Sequence, residues 1–177
     1  MKIISHNKLI ESILNTYKPY LANEFDAYRN HVYRVFNFAV PFVKLDQDIE
    51  IFAVAAAFHD LGIWTGKTFD YLGLSIELAK LYAVSNTLSL ETIQEIETII
   101  SEHHKLSKIK SSALAETFRQ ADLVDLSLGL IRCKRKSEDI RLIKRTFPNN
   151  GFHLNLTKLF FRNFRKNPLR PLPMYKW

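Results

Sequence analysis

The chain is short of the residues that most often announce a function from composition. It has one cysteine in 177 residues, so no disulfide framework exists. That residue, Cys133, sits among Arg132, Lys134, Arg135 and Lys136 with no histidine nearby, and a packing or surface role is the ordinary reading for it. No run approaches the ~18 uninterrupted apolar residues of a membrane span. The first twenty residues, MKIISHNKLIESILNTYKPY, carry polar side chains every few positions and no small-residue cleavage site, so they do not read as a signal peptide. Cytoplasmic location and no membrane partner are the expectation. Internal repeats and low-complexity segments are also missing.

Net charge is small outside the last stretch. The formal net charge is +7, but residues 158–177 hold Lys158, Arg162, Arg165, Lys166, Arg170 and Lys176 with no acid, leaving only one excess positive charge to the first 157 residues. A basic segment of this kind binds nucleic acid or an anionic surface, or is simply solvated. Nucleic acid is therefore an open but not favoured partner.

With only five glycines and little strand-type alternation, apolar residues recurring at three and four predict an all-α fold of seven or eight helices. Helices are expected over Asn7 to Lys18, closed by Pro19, and over Phe25 to Val43, kinked or ended by Pro41. An apolar helix from Ile51 to Trp64 follows, capped by Asp46 or Asp48, and Gly62 and Gly66 then release the chain into a loop. Further helices are expected over Leu72 to Val84, from a Thr87 or Ser89 cap to Lys105, over Ala113 to Arg132 with Leu128 and Ile131 inward, over Glu138 to Thr146, and over Leu154 to Phe164. The whole, 1–177, reads as one compact multi-helix domain with its core at 25–131. An irregular basic tail, 165–177, contains prolines and should pack on the domain through Leu169, Leu172, Met174, Tyr175 and Trp177. Many compact helical proteins of this size pair as homodimers through an exposed apolar face, for which Tyr20, Phe160 and Phe161 are candidates, although burial within the monomer is the first expectation for them.

The chain is organised around IFAVAAAFHDLGIW. Ile51, Phe52, Val54, Ala55, Ala56, Ala57, Phe58 and Leu61 leave no polar face, so the helix belongs in the interior. His59 and Asp60 then enter its last turn, where burying a polar group without a partner costs about 2–7 kcal/mol. A divalent cation would satisfy both. His31, three after Tyr28 and four before Val35, lies on or beside a buried stripe. Asp122, four after Phe118, edges another. The four residues His31, His59, Asp60 and Asp122 fit one metal site drawn from three helices.

The order His31, then His59-Asp60, then Asp122 in a helix reading QAD resembles the HD-domain superfamily of metal-dependent phosphohydrolases, an all-α group named for that doublet. The resemblance covers His31 through Asp122 and extends through FPNNGFH. It implies His31, His59, Asp60 and Asp122 as metal ligands. Two imidazoles and two carboxylates suit one divalent transition metal per chain, Mn, Fe, Co, Zn or Ni, better than Mg or Ca. It also implies a small anionic, phosphate-containing substrate. Relatives with two metals usually place one more histidine between the doublet and the region of His103-His104, and this chain has none there, so one metal is preferred over two.

His103 and His104 can both face inward from the fifth expected helix and serve as catalytic or phosphate-gripping groups; equally, they complement a helix C-terminus together with Lys105, itself a candidate substrate contact. Arg34, three beyond His31, is a candidate for holding an anion. Lys67, Asp70 and Tyr71 occupy the segment after the doublet, Lys67 and Asp70 as catalytic candidates and Tyr71 as a substrate contact. Nucleotidase relatives carry a glutamate three residues after the doublet's aspartate, where this chain has Ile63, which leaves Asp70 as the nearest acid or base. Asp125, one turn past Asp122, can orient a ligand histidine, and Arg119 can pair with either aspartate. Two other readings stay open: a hydratase or oxygenase on the same fold, and a catalytically silent regulatory or nucleic-acid-binding module working through the basic tail.

Overall fold

A computed structural model of the chain describes residues 2–175. Regular structure among them is helical throughout, with no strand: α1 (Lys8–Leu21), α2 (Phe25–Ala39), α3 (Asp46–Phe58), α4 (Gly62–Gly66), α5 (Leu72–Ser85), α6 (Leu90–Glu102), α7 (Ala113–Leu126), α8 (Ser137–Thr146) and α9 (Phe152–Lys166). The expected all-α fold is what forms. The single-turn α4 is what splits the expected 51–64 helix in two.

α3 is the axis of the bundle, packed by α1, α2, α5 and α6. Ala53, Ala55, Ala56 and Ala57 are fully buried between Phe52 and Phe58. Their small side chains let four neighbours approach, while each buried phenylalanine contributes about 1.5–3 kcal/mol. The 46–66 stretch is long and apolar enough, by length and composition, to cross a membrane, but it is mostly buried inside the fold. Tyr28 of α2 donates its hydroxyl to the Ala57 carbonyl at 3.0 Å and tilts against Trp64 at 4.5 Å, and the Trp64 indole donates to Glu24 at 3.0 Å. These contacts fix the end of α3, which is where the doublet sits.

Several helix ends differ from the sequence reading. α1 runs through Pro19 to Leu21: Pro19 lies on the exposed side, where the carbonyl it leaves unpaired meets water, and Leu21 is buried. Neither Asp46 nor Asp48 caps α3; both lie within its first turn, beyond the Leu45 N-cap, and act only on the helix dipole. α6 does start from Ser89, whose side chain accepts from the Thr92 amide at 3.2 Å. α7 stops at Leu126, six residues early, because Leu128 and Gly129 take positive φ of 55° and 85° and return hydrogen bonds to Asp125 and Val124. Leu128 and Ile131, expected inside, are about half exposed as a result.

Gly62 is the position where α4 meets α5. A Cβ there would fall 2.5 Å from the Tyr71 carbonyl, and its amide donates to Ser75 Oγ at 2.9 Å. Only glycine admits that approach, which sets Tyr71 beside the doublet. The residues after α9 run in turns. Met174 is buried and Leu169 fully exposed, whereas Lys176 and Trp177, expected to pack with the tail, lie outside the described residues. Tyr20 and Phe161 are exposed, and Phe160 packs partly buried against the core.

The connector between α6 and α7 is held by Glu116. It accepts from Arg119 Nε and Nη2 at 2.8 Å each, from Gln120 at 2.8 Å and from the Ile109 amide at 2.9 Å. Burial pushes this carboxyl upward, but the bonds from Arg119, Gln120 and Ile109 outweigh it and hold it at about 2. A carboxyl lowered in the folded state stabilises the fold above its unfolded value and loses that contribution as pH falls towards 2. Glu116→Gln should therefore reduce urea-derived stability by about 2 kcal/mol at pH 7, as expected for loss of charged hydrogen bonds. The difference from the parent should shrink in unfolding curves recorded between pH 4 and pH 2.

Candidate metal centre

Two helices and two inter-helix turns deliver the site. His31 comes from the middle of α2, His59 and Asp60 from the turn after α3, His103 and His104 from the turn after α6, and Asp122 from α7. Each is buried: His31 and His59 fully, and the other four no more than 8% exposed.

Their outward ring nitrogens fix the orientation of the inner ones. His31 Nδ1 lies 2.7 Å from Asp125 Oδ2, His59 Nδ1 2.8 Å from the Ala56 carbonyl, and His103 Nδ1 2.7 Å from the Ile100 carbonyl. A nitrogen facing a carbonyl or carboxylate carries the proton, so a neutral ring presents a bare lone pair at Nε2. With all three rings neutral, as metal binding requires, three Nε2 lone pairs point inward. Those of His31 and His59 face each other at 2.9 Å. Two lone pairs at that separation repel unless a positive charge lies between them, which is the role a metal ion or a proton would fill.

The carboxylates close around the same point. Asp60 Oδ2 is 3.5 Å from His31 Nε2 and 3.6 Å from His59 Nε2, and Asp122 Oδ1 is 3.8 Å from each. Both Asp122 oxygens and His103 Nε2 are buried with no hydrogen-bond partner. An orphaned buried carboxylate is costly, and a cation is the partner its surroundings leave room for. Geometrically, His31, His59 and Asp60 form one group able to hold a metal ion, and Asp60, His103 and His104 form a second. The second uses the other oxygen of Asp60: Oδ1 lies 3.4 Å from His103 Nε2 and 3.9 Å from His104 Nε2.

Tyr71 ties the two groups together. Its hydroxyl donates to Asp60 Oδ1 at 2.5 Å and lies 2.7 Å from His104 Nε2. Because the phenol has one proton and gives it to the carboxylate, His104 Nε2 must donate to the phenol. His104 is then left with a lone pair at Nδ1, 3.8 Å from Asp122 Oδ2. Tyr71 is thus bonded to candidate ligands rather than free to meet a substrate.

Protonation follows the same geometry. Burial drives His59 down to about 3 against the pull of Asp60, so the ring is neutral. Burial also opposes a charge on His31, but Asp125 and Asp60 outweigh it and raise the group to about 9. Asp122 is raised to about 7 by burial, with the Asp60 charge adding to it and His103 opposing. Asp60 moves the other way, as His59, His103 and His31 overcome its burial.

Behind His31, Asp125 is gripped by Arg34, Nε to Oδ1 at 2.5 Å and Nη2 to Oδ2 at 2.9 Å, and Arg34 Nη1 donates to the Phe147 and Pro148 carbonyls at 3.1 and 3.3 Å. Arg34 is buried and its donors are used, so it is not a free anion contact as the sequence suggested. Arg119 pairs with Glu116, not with Asp122 or Asp125, and Lys105 pairs with Glu102 at 2.9 Å instead of standing free for substrate. Asp70 is exposed, its amide donating to Thr68 Oγ1, and it does not join the cluster as an acid or base. Lys67 is exposed as well and lines a different cavity from the one that reaches Asp60 and His104. Two contributors went unnoticed in the sequence: Phe152, stacked on His31 at 4.0 Å, and His153, whose Nε2 meets the Asp125 carbonyl at 2.9 Å. FPNNGFH was the only signal for them.

Asp125→Asn should lower metal affinity by about 10–100-fold, since it removes the group that orients His31. It should also destabilise the fold by about 3 kcal/mol, because Arg34 is left as a buried, half-paired charge. Titration calorimetry and chemical unfolding read the two effects separately.

A cavity of about 90 Å³ reaches Asp60 and His104, with Ile63, Phe69, Tyr71, Met174 and Tyr175 on its walls. Tyr175 stacks on His104 at 5.2 Å. A cavity of about 710 Å³ lies between α1, α3, α5 and α6, and none of the cluster residues lines it. No protein-family model, no curated protein and no solved structure matches this chain.

Proposed function

We propose that the chain is an HD-type metal-dependent phosphohydrolase, with a resident divalent transition metal held by His31, His59, Asp60 and Asp122. The observation that carries this reading is the grouping of His31, His59 and Asp60 around one buried point, with both oxygens of the neighbouring Asp122 lacking a hydrogen-bond partner. The donor set of two imidazoles and two carboxylates favours Mn, Fe, Co, Zn or Ni. A cation bound there would lower the pKa of a coordinated water towards ~7 and polarise a phosphoryl oxygen.

The chain's own groups supply orientation and proton traffic. Asp125 and the Ala56 carbonyl hold the His31 and His59 rings in register. Burial excludes bulk water, which strengthens every charge interaction inside. His103 Nε2 lies 3.4 Å from Asp60 Oδ1, which favours a proton there against the effect of burial, and as an N–H it is placed to grip a phosphoryl oxygen. In hydrolysis a water oxygen bonds to phosphorus, the ester P–O bond breaks, and a proton must reach the departing oxygen. The Tyr71–His104 pair borders the cavity and is placed to deliver it.

A panel of phosphomonoesters, cyclic nucleotides and nucleoside triphosphates, run on metal-loaded protein, tests the reading. Turnover should need the metal and vanish in Asp60→Ala. Turnover that survives Asp60→Ala, or none with any phosphate class, would overturn it.

A further inference from the structure

Outside the metal centre, a second cavity of about 160 Å³ opens between residues 67–69 and the latter half of α9. Lys67, Arg162 and Lys166 line it together with Asn163, and no acid does. The three cations are exposed, and among the described residues none has an ion pair or side-chain hydrogen bond.

That arrangement repels itself. Arg162 and Lys166 are four apart on one helix, with Lys158 a turn earlier, and like charges so spaced cost about 0.2–0.5 kcal/mol per pair. The negative end of the α9 dipole offsets part of this for Lys166. It does not account for Lys67, which reaches the same cavity from a different segment in a left-handed conformation, φ 52°. An anion in the cavity would turn three mutual repulsions into three attractions. The space suits a tetrahedral oxyanion rather than a polymer.

We infer that this cavity is a phosphate-binding site formed by Lys67, Arg162 and Lys166. Phe69 lines both this cavity and the one that reaches Asp60 and His104, so the two are neighbours with a shared wall residue. On the hydrolase reading, the natural occupant is a second phosphate on a substrate whose scissile phosphate lies at the metal centre. The anion site itself stands without that reading.

Inorganic phosphate titrated calorimetrically into chelator-treated protein, with circular dichroism to confirm the fold, tests the site with no metal present. Saturable one-to-one binding is expected, weakened at least tenfold in R162Q/K166Q. It should be unchanged in R141Q/R145Q, a control pair of equal charge and spacing on α8. No saturable binding, or equal weakening by both pairs, would overturn the site. In metal-loaded protein, a rise in KM for bisphosphorylated but not monophosphorylated substrates in R162Q/K166Q identifies the occupant as the substrate's second phosphate. Unchanged KM values with phosphate binding still lost identify free phosphate at the same site. Failure of the hydrolase reading would leave the calorimetric result intact.

Discussion

Asp122→Asn is expected to lower metal affinity by at least about a hundredfold while leaving the metal-free protein as stable as the parent or slightly more so. The two halves of this expectation have different causes. Both carboxylate oxygens are buried and unpartnered, and burial with the neighbouring Asp60 charge raises the group to about 7. Without a metal, this side chain is therefore a strain on the fold, and a neutral amide of the same shape relieves it. With a metal, the same carboxylate contributes one of two negative charges at the ion, and a hundredfold loss corresponds to about 2.7 kcal/mol. Titration of Mn²⁺ or Zn²⁺ reads the first half, and urea unfolding in chelator the second. A variant that loses several kcal/mol without metal would mean that Asp122 is a structural group whose partner lies in the protein.

Stripping the metal from the parent protein should lower Tm by about 8–16 °C. A ligand at a thousandfold excess over its Kd stabilises by about 4 kcal/mol, and a chain of this length gains about 2–4 °C per kcal/mol. Scanning calorimetry with and without chelator measures it, and for Asp122→Asn at the same metal concentration the difference should shrink to about 3–6 °C or less. The effect should also grow between pH 6 and pH 8. His31 is raised to about 9, so its ring carries a proton that the cation must displace, and displacement becomes easier as pH rises. His59, neutral because burial lowers it to about 3, adds no such dependence. A Tm unmoved by chelator at every pH would argue that the cluster is held by protons alone.

How much of this was legible in the sequence depended on how far each contact reaches along the chain. The doublet was legible because eight apolar residues around His59-Asp60 allow only a buried position. Asp125 was legible from its spacing after Asp122. Arg34 was not: its spacing from His31 was plain, but its burial depends on α7 bringing Asp125 and on the carbonyls at 147 and 148, more than 110 residues away. Arg119 went to Glu116 because a partner three residues back on the same helix is nearer than an aspartate turned to the core. The end of α7 was missed because Leu128, not a glycine, takes the first left-handed position. Phe152 and His153 were missed for the same long-range reason as Arg34. Tyr71 was placed near the site, but its bond to Asp60 depends on the close approach that Gly62 permits.

The central claim, that His31, His59, Asp60 and Asp122 converge on one divalent cation, is tested most directly by X-ray absorption at the edge of whatever metal the protein retains when purified without chelator. The expected spectrum has only nitrogen and oxygen neighbours at about 2.0–2.2 Å, with the outer-shell scattering of two or more imidazoles. A sulfur shell, a spectrum without imidazole, or a protein that retains no metal would contradict it.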